Sequence, residues 1–308
     1  MGILDPRWPI SARDELVPPW PEAGHHDWQD ARMATYAAQV DRMDQGIGHI
    51  VSALERGGVR EDTLILFLSD NGGCAEFLRE DGHLERPQGQ TRDGRPVRTG
   101  NAPGLMPGPE DTYMSYGLAW ANVSNAPFRL YKHWVHEGGI ATPLIASWPR
   151  RMARPAIEHE PLHLVDLMAT CVGVAGAKYP DEHKGYPILP LEGQSFAPLL
   201  YGQRWQREGA ICWEHEGNRA VRAGQWKLVC RYPGRWELYD MSRDGTEEHD
   251  LSDRYGNVVR GLAQVWDEWA DHCGVPPWQE IAPQEDERVR LWEQEHGLRV
   301  YETGLRFD

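Results

Sequence analysis

The chain has 308 residues, 40% of them hydrophobic and 26% charged, with a formal net charge of −15 at pH 7. That acidity excludes a basic stripe for nucleic acid, and it obliges any anionic substrate to find a local cationic cluster. No segment reaches the ~20 consecutive apolar residues of a membrane span, and the five cysteines form no CxxC pair and no metal-ligand spacing.

Residues 1–30, opening MGILDPRWPISARDELVPPWP, are rich in proline and have neither the basic start nor the apolar core of a signal peptide. They read as a linker, so Met1 is expected to be an internal residue of a longer ancestor. From Ala31, Val40, Met43, Ile47, Ile50 and Leu54 recur at spacings of three and four, the apolar stripe of an amphipathic helix ended by Gly57 and Gly58. In DTLILFLSDNGG the run from Leu64 to Leu68 is apolar without alternation, which predicts a strand covered on both faces, as in a parallel sheet. Residues 79–118 are too long and polar for a plain connector and read as a functional surface loop. TPLIASWP predicts a second short buried strand, HLVDLMATCVGVAG a helix closed by Gly176, and 178–203 a loop-rich stretch. After Trp205, the segments AICWEH, RAVRAGQWKLVCRY and WELYDM predict a small antiparallel sheet with a hairpin turn at Gly224. A helix around Val258–Asp271 follows. The resulting organisation is α/β in class: a linker over 1–30, part of a larger α/β domain over 31–204, an antiparallel subdomain over 205–275 and a tail over 276–308.

Two constellations carry chemistry. Asp70 and Asn71 end an apolar run, where ligands gather in open α/β sheets, and both offer oxygen to a hard cation such as Ca²⁺ or Mg²⁺. An Asp-Asn-Gly turn ending a strand explains the same letters. In YKHWVHEGG, Lys132, His133 and His136 crowd together with Arg129 upstream, the kind of cationic patch that an anionic substrate needs in so acidic a chain. A solvated helix face explains this pattern equally.

Taken in order, MDQGIGHIVSALERGGV, DTLILFLSDNGG, a long loop, K-x-x-x-x-E-G-G-I-x-x-P, a strand closing in WP, LEGQSFAPLLYG, and the two segments WEHEGNRAVRAGQWKLV and WELYDMSRDGTEEHDLS resemble the type I sulfatases. The resemblance implies part of the sulfatase and alkaline-phosphatase-like sheet with flanking helices, plus a small C-terminal antiparallel sheet packed with a helix. It implies hydrolysis of sulfate esters, with Asp70 and Asn71 as metal ligands, usually for Ca²⁺, and Lys132 holding a sulfate oxygen and stabilising developing charge. His215 and His133 are substrate-side candidates, and the substrate class is a sulfated small molecule or sugar. The sequence departs from the family where the nucleophile is concerned. Type I sulfatases form it in a C/S-x-P/A-x-R motif, and the contexts CAEFL, CVGVA, CWEHE, CRYPG and CGVPP, like SARDE at Ser11, do not match it. The chain is therefore expected to resemble the C-terminal part of a sulfatase and to be inactive alone. Two alternatives stand beside this reading: a non-catalytic remnant that binds a partner or itself through an exposed apolar seam, and a phosphodiester or phosphonate hydrolase of the same superfamily. Nothing in the residues names a compartment.

Overall fold

A computed structural model describes residues 8–75, 89–152 and 154–282. The tail beyond residue 282, the first residues of the linker and the start of the 79–118 loop lie outside the described residues. In chain order the main elements are helix α1 (His26–Arg56), strand β1 (Ile65–Leu68), helices α2 (Gly117–Ser124) and α3 (Glu137–Ile140), strand β2 (Leu144–Ser147), and helices α4 (Val165–Val174) and α5 (Ala197–Leu200). Strands β3 (Ile211–His215), β4 (Asn218–Ala223), β5 (Trp226–Cys230) and β6 (Trp236–Asp240) follow, and helix α6 (Gly256–Cys273) ends the series. The described residues divide into two compact units, one gathering 47–69 and 143–211, the other the described parts of 4–46, 70–142 and 212–308.

In the first unit, β1 and β2 form a two-stranded antiparallel sheet, with Leu66 opposite Ala146 and Phe67 opposite Ile145. This corrects the expectation of a strand covered on both faces in a parallel sheet. Phe67 and Ile145 are 37% and 60% exposed, so the unbroken apolar run reports side chains left open on one face rather than burial on both. The apolar stripe of α1 is likewise open: Val40, Met43 and Ile50 are 42%, 48% and 61% exposed. The helix itself begins at His26, five residues inside the expected linker.

The segment GQSFAPLL owes its place to α4. Asp166, fully buried in the first turn of α4, accepts hydrogen bonds from the backbone N–H groups of His163 (2.7 Å) and Gln194 (2.8 Å) and pairs with the Arg207 guanidinium. Thr170, one turn on, accepts the N–H of Phe196 at 3.0 Å. Gly193 passes so close to the helix that a Cβ there would stand 2.0 Å from the Val165 carbonyl oxygen, which explains the glycine. His163 serves the start of α4 and burial lowers its pKa, in line with a structural role.

In the second unit, the four C-terminal strands form an antiparallel sheet in the order β6–β5–β4–β3. Gly224, at a φ of +54°, turns the β4–β5 hairpin, a conformation that glycine adopts without steric cost. Side chains alternate across the sheet. Arg219, Cys230 and Trp236 share one face with Val221, Leu228 and Leu238, and α6 covers it: the Trp266 indole N–H donates to the Trp213 carbonyl, and Arg219 lies over the rings of Trp236 and Trp266. Ala220, Val229 and Tyr239 on the other face pack with Val135, Met241 and Ile140. A sheet sandwiched in this way accounts for Ala220, Val221, Leu228, Val229 and Leu238 all being fully buried. Trp28, Trp134 and Trp266 are buried, while others, such as Trp20, lie open.

Because Asp166 neutralises Arg207 and caps two backbone donors in a buried setting, Asp166→Ala should destabilise the first unit by ~3–5 kcal/mol, the usual cost of breaking a buried pair. Urea unfolding followed by circular dichroism checks this; a loss below ~1 kcal/mol would refute it.

Candidate functional site

The site is built on backbone contacts between two glycine pairs. Gly72 donates its N–H to the Gly139 carbonyl at 2.9 Å, and Lys132 donates its N–H to the Gly73 carbonyl at 3.0 Å. The Gly73 N–H is held by the Asn125 side-chain oxygen at 2.8 Å. A Cβ on Gly72 would meet the Gly138 oxygen at 1.9 Å, one on Gly138 the Arg129 oxygen at 2.2 Å, and one on Gly139 the Trp134 oxygen at 1.8 Å. The glycines are thus explained by close approach of main chain to main chain. The turn carrying Asp70 and Asn71 is drawn by these bonds against the segment carrying Lys132. Asp70 is exposed, and Asn71 and Lys132 are half-buried.

As donors, Asp70 and Asn71 suit a hard cation in kind. In number they do not complete a site: among the described residues Asp70 joins no cluster of three metal-ligating side chains, whereas Ca²⁺ takes ~6–8 oxygens.

His133 and His215 come together. Their rings meet edge to face with centroids 5.3 Å apart, and Glu216 places a carboxylate oxygen 3.1 Å from His133 Nδ1. The hydrogen bond from His133 holds the Glu216 carboxyl below its ordinary range, against the effect of burial. Asn218 donates its amide to the His215 carbonyl at 2.9 Å, accepts the Tyr232 N–H at 3.0 Å, and so presents Nδ2 to His133 Nε2 at 3.4 Å. His133 adopts a φ of +100° and Glu216 one of +50°.

Behind this surface lies an ionic network that joins the Lys132–Gly139 segment to the C-terminal sheet. Lys227, fully buried on β5, reaches Glu137 at 2.6 Å and Glu247 at 2.7 Å. The second Glu247 oxygen accepts the Glu137 N–H at 2.9 Å. Arg129 donates to the Tyr239 hydroxyl at 3.1 Å and to the Glu247 carbonyl at 3.2 Å, and lies 3.5 Å from Glu237. His136 is fully buried with Nε2 3.6 Å from Glu237. Of the patch read from the sequence, Arg129 and His136 therefore face this network. Burial opposes ionisation of Glu237, but the His136 ring, the Tyr239 hydroxyl and Arg129 outweigh it and hold the carboxyl at about 2.

Comparison with known proteins then decides the family. The description "Sulfatase" matches residues 11–177, more than half of the chain, and "N-sulphoglucosamine sulphohydrolase, C-terminal" matches 128–268. The chain belongs to the sulfatase family. It is 27% identical over 251 residues to an uncharacterized sulfatase of Schizosaccharomyces pombe, covering 79% of this chain and 44% of the relative. It is 30% identical over 170 residues to an arylsulfatase of Klebsiella aerogenes, covering 54% and 34%. Among solved structures it is similar to Ps i-CgsB in complex with k-i-k-neocarrahexaose, with a TM-score of 0.55, 21% identity, and coverage of 82% of this chain and 48% of that one. The chain spans under half the length of each of these relatives. The likeness in structure supports the fold expected of a sulfatase, mixed α/β with the small C-terminal sheet, and the family uses a divalent metal.

In this chain, sequence reasoning singled out Asp70, Asn71, Lys132, His133 and His215 but passed over Glu216, Lys227 and Glu247. Lys227 did leave a signal: in QWKLV it is one charge inside an apolar strand, and a buried lysine requires a carboxylate. The ionised Glu237 contributes stability in full above the ordinary carboxylate value of 4.5 and loses it as pH falls toward 2. Between pH 6 and pH 3.5 the wild-type chain should lose ~1 kcal/mol more stability than Glu237→Gln. Urea midpoints measured at the two pH values test this, and parallel losses in both proteins would contradict it.

Proposed function

We propose that this chain serves the hydrolysis of sulfate esters. Lys132 binds the ester sulfate, Asp70 and Asn71 contribute two oxygen ligands to a Ca²⁺ site, and the 308 residues by themselves do not turn over. The observation that carries this reading is the pair of backbone bonds, Gly72 to Gly139 and Lys132 to Gly73, that holds the Asp70–Asn71 turn against the Lys132 segment. Lysine suits the role as a compact charge with three donors, which can bind the sulfate oxygens and stabilise charge that develops on them. Bound Ca²⁺ supplies Lewis-acid polarisation of a sulfate oxygen. We assign no residue here to attack sulfur: none of the five cysteines lies in a C-x-P/A-x-R motif, and the one serine that fits the S-x-P/A-x-R letters, Ser147 in SWPRR, closes strand β2 opposite Ile65 with its hydroxyl accepting from Arg60. The relatives include an arylsulfatase, a steryl-sulfatase and an N-acetylgalactosamine-6-sulfatase, whose names share a sulfated substrate, and that breadth supports a sulfated small molecule or sugar as the class.

The test has two parts. With Ca²⁺ and an activated aryl sulfate, the purified chain should release no phenol above background. Equilibrium dialysis of the same ester should show binding that falls about tenfold or more in Lys132→Ala, because a hydrogen bond to a charged group contributes ~1.5–3 kcal/mol. Unchanged binding in a folded Lys132→Ala would overturn the assignment of Lys132. Turnover that disappears in Asp70→Ala would overturn the statement that the chain is inactive alone.

A second reading is favoured by one observation. Phe67 and Ile145 face each other on an open side of the β1–β2 sheet, and Ile50 on α1 is 61% exposed. Among the described residues that sheet has only two strands, which leaves both outer edges without strand partners. We infer that the chain associates with itself through this apolar seam. Sedimentation velocity should show mass rising with concentration and Ile145→Lys shifting it toward monomer. A monomer at every concentration would rule this out.

A further inference from the structure

We propose that His133, His215 and Glu216 form a binding site for a divalent transition metal, with Zn²⁺ as its ion. Each residue offers one ligand atom, and the three atoms lie within 4.8 Å of one another. His133 Nδ1 and Glu216 Oε2 are 3.1 Å apart. Ligand atoms held at ~2.0–2.2 Å from a tetrahedral Zn²⁺ stand about 3.4 Å from each other, so this edge needs almost no movement and the others need a closure of at most about 1.4 Å. Two of the ligands sit on a hairpin: His215 ends β3 and β4 begins at Asn218. Glu216 and His215 are exposed, so rotation of their side chains meets little resistance.

The donor set determines the ion. Two imidazoles and one carboxylate are poor ligands for Ca²⁺ and good ones for Zn²⁺, which accepts three protein ligands and leaves a fourth position to water or another donor. Without metal, the Asn218 amide faces His133 Nε2, so the ring keeps its proton on Nδ1 and donates it to Glu216. The ion takes the place of that proton, which moves to Nε2. The long contact at 3.4 Å to Asn218 lengthens, while the bonds from Asn218 to His215 and Tyr232 remain. Bound metal would fasten the residue next to Lys132 to the β3–β4 hairpin. The inference goes beyond the sulfate-ester reading and does not depend on it.

The experiment uses the full chain after treatment with a chelator. Calorimetric titration with ZnCl₂ should give one ion per chain, undisturbed by an equal concentration of Ca²⁺, together with a rise in Tm. His215→Ala and Glu216→Gln should each weaken Zn²⁺ binding at least tenfold, and the double variant should abolish both the binding and the rise in Tm. Both positions are exposed, so metal-free melting should match the wild type, and this is measured alongside. The absence of stoichiometric binding to the wild-type chain would overturn the proposal. So would undiminished binding in the folded double variant, which would assign the ion to other groups such as the five cysteines.

Discussion

Lys227 is a charge in the middle of a buried strand, and the second unit is arranged around it. Its ammonium lies between the carboxylates of Glu137 and Glu247, at 2.6 and 2.7 Å, and Glu247 and Lys227 are both inaccessible to solvent. Each buried ion costs several kcal/mol in lost hydration, and only close pairing with further hydrogen bonds offsets this. That requirement makes the network a device of register. Val229 and Ala220 would pack against several placements of the 130–140 segment, but the lysine is satisfied only when Glu137 arrives beside it and Glu247 caps the Glu137 N–H. An apolar triad of similar volume could be as stable, yet it would not fix the segment to the same ångström. Glu137 stands five residues after Lys132, so the position of the candidate sulfate-binding lysine is set by ions behind the site.

The glycines complete this constraint from the other side. Once Glu137 is fixed, Gly138 and Gly139 must pass within touching distance of the backbone at Arg129, Trp134 and Gly72. The contact is main chain against main chain, with no side chain able to adapt. Consequently the Asp70–Asn71 turn has little freedom relative to the Lys132 segment, which is the rigidity that a site for a small charged group needs.

How much of this was legible in the sequence depended on whether the signal was periodic. The C-terminal sheet was, because Gly224 punctuates it and its strands run over five or six residues between turns. α6 was legible in its stripe, although the structure extends it by a turn or less to Gly256–Cys273. β1 was legible as a strand and illegible in its pairing. A short apolar run reads the same whether it is covered twice or left open, and pairing direction is decided by a partner 80 residues on, at Leu144–Ser147. At the site, Asp70, Asn71 and Lys132 were found as letters in motifs whose order carried the resemblance. Glu216 and Glu247 were not, since single acidic residues in an acidic chain carry no pattern and acquire meaning only from what folding sets beside them.

What folding sets beside them is sorted by chemical hardness. The turn after β1 offers amide and carboxylate oxygen, donors that hold alkaline-earth cations loosely unless there are many of them. One residue beyond Lys132 the donors become imidazole nitrogen, with a carboxylate at 3.1 Å. An ion that suits one group is a poor fit to the other, because oxygen-only sites select by number and charge, and nitrogen-containing sites by directional bonds. The lysine between these two donor sets can join neither, since an ammonium has three donors and no lone pair. In a chain of net charge −15, an anion is retained where cationic charge is local. Glu137 and Glu247 are occupied with Lys227, and Glu237 with Arg129 and Tyr239, so these three carboxylates are held within the network.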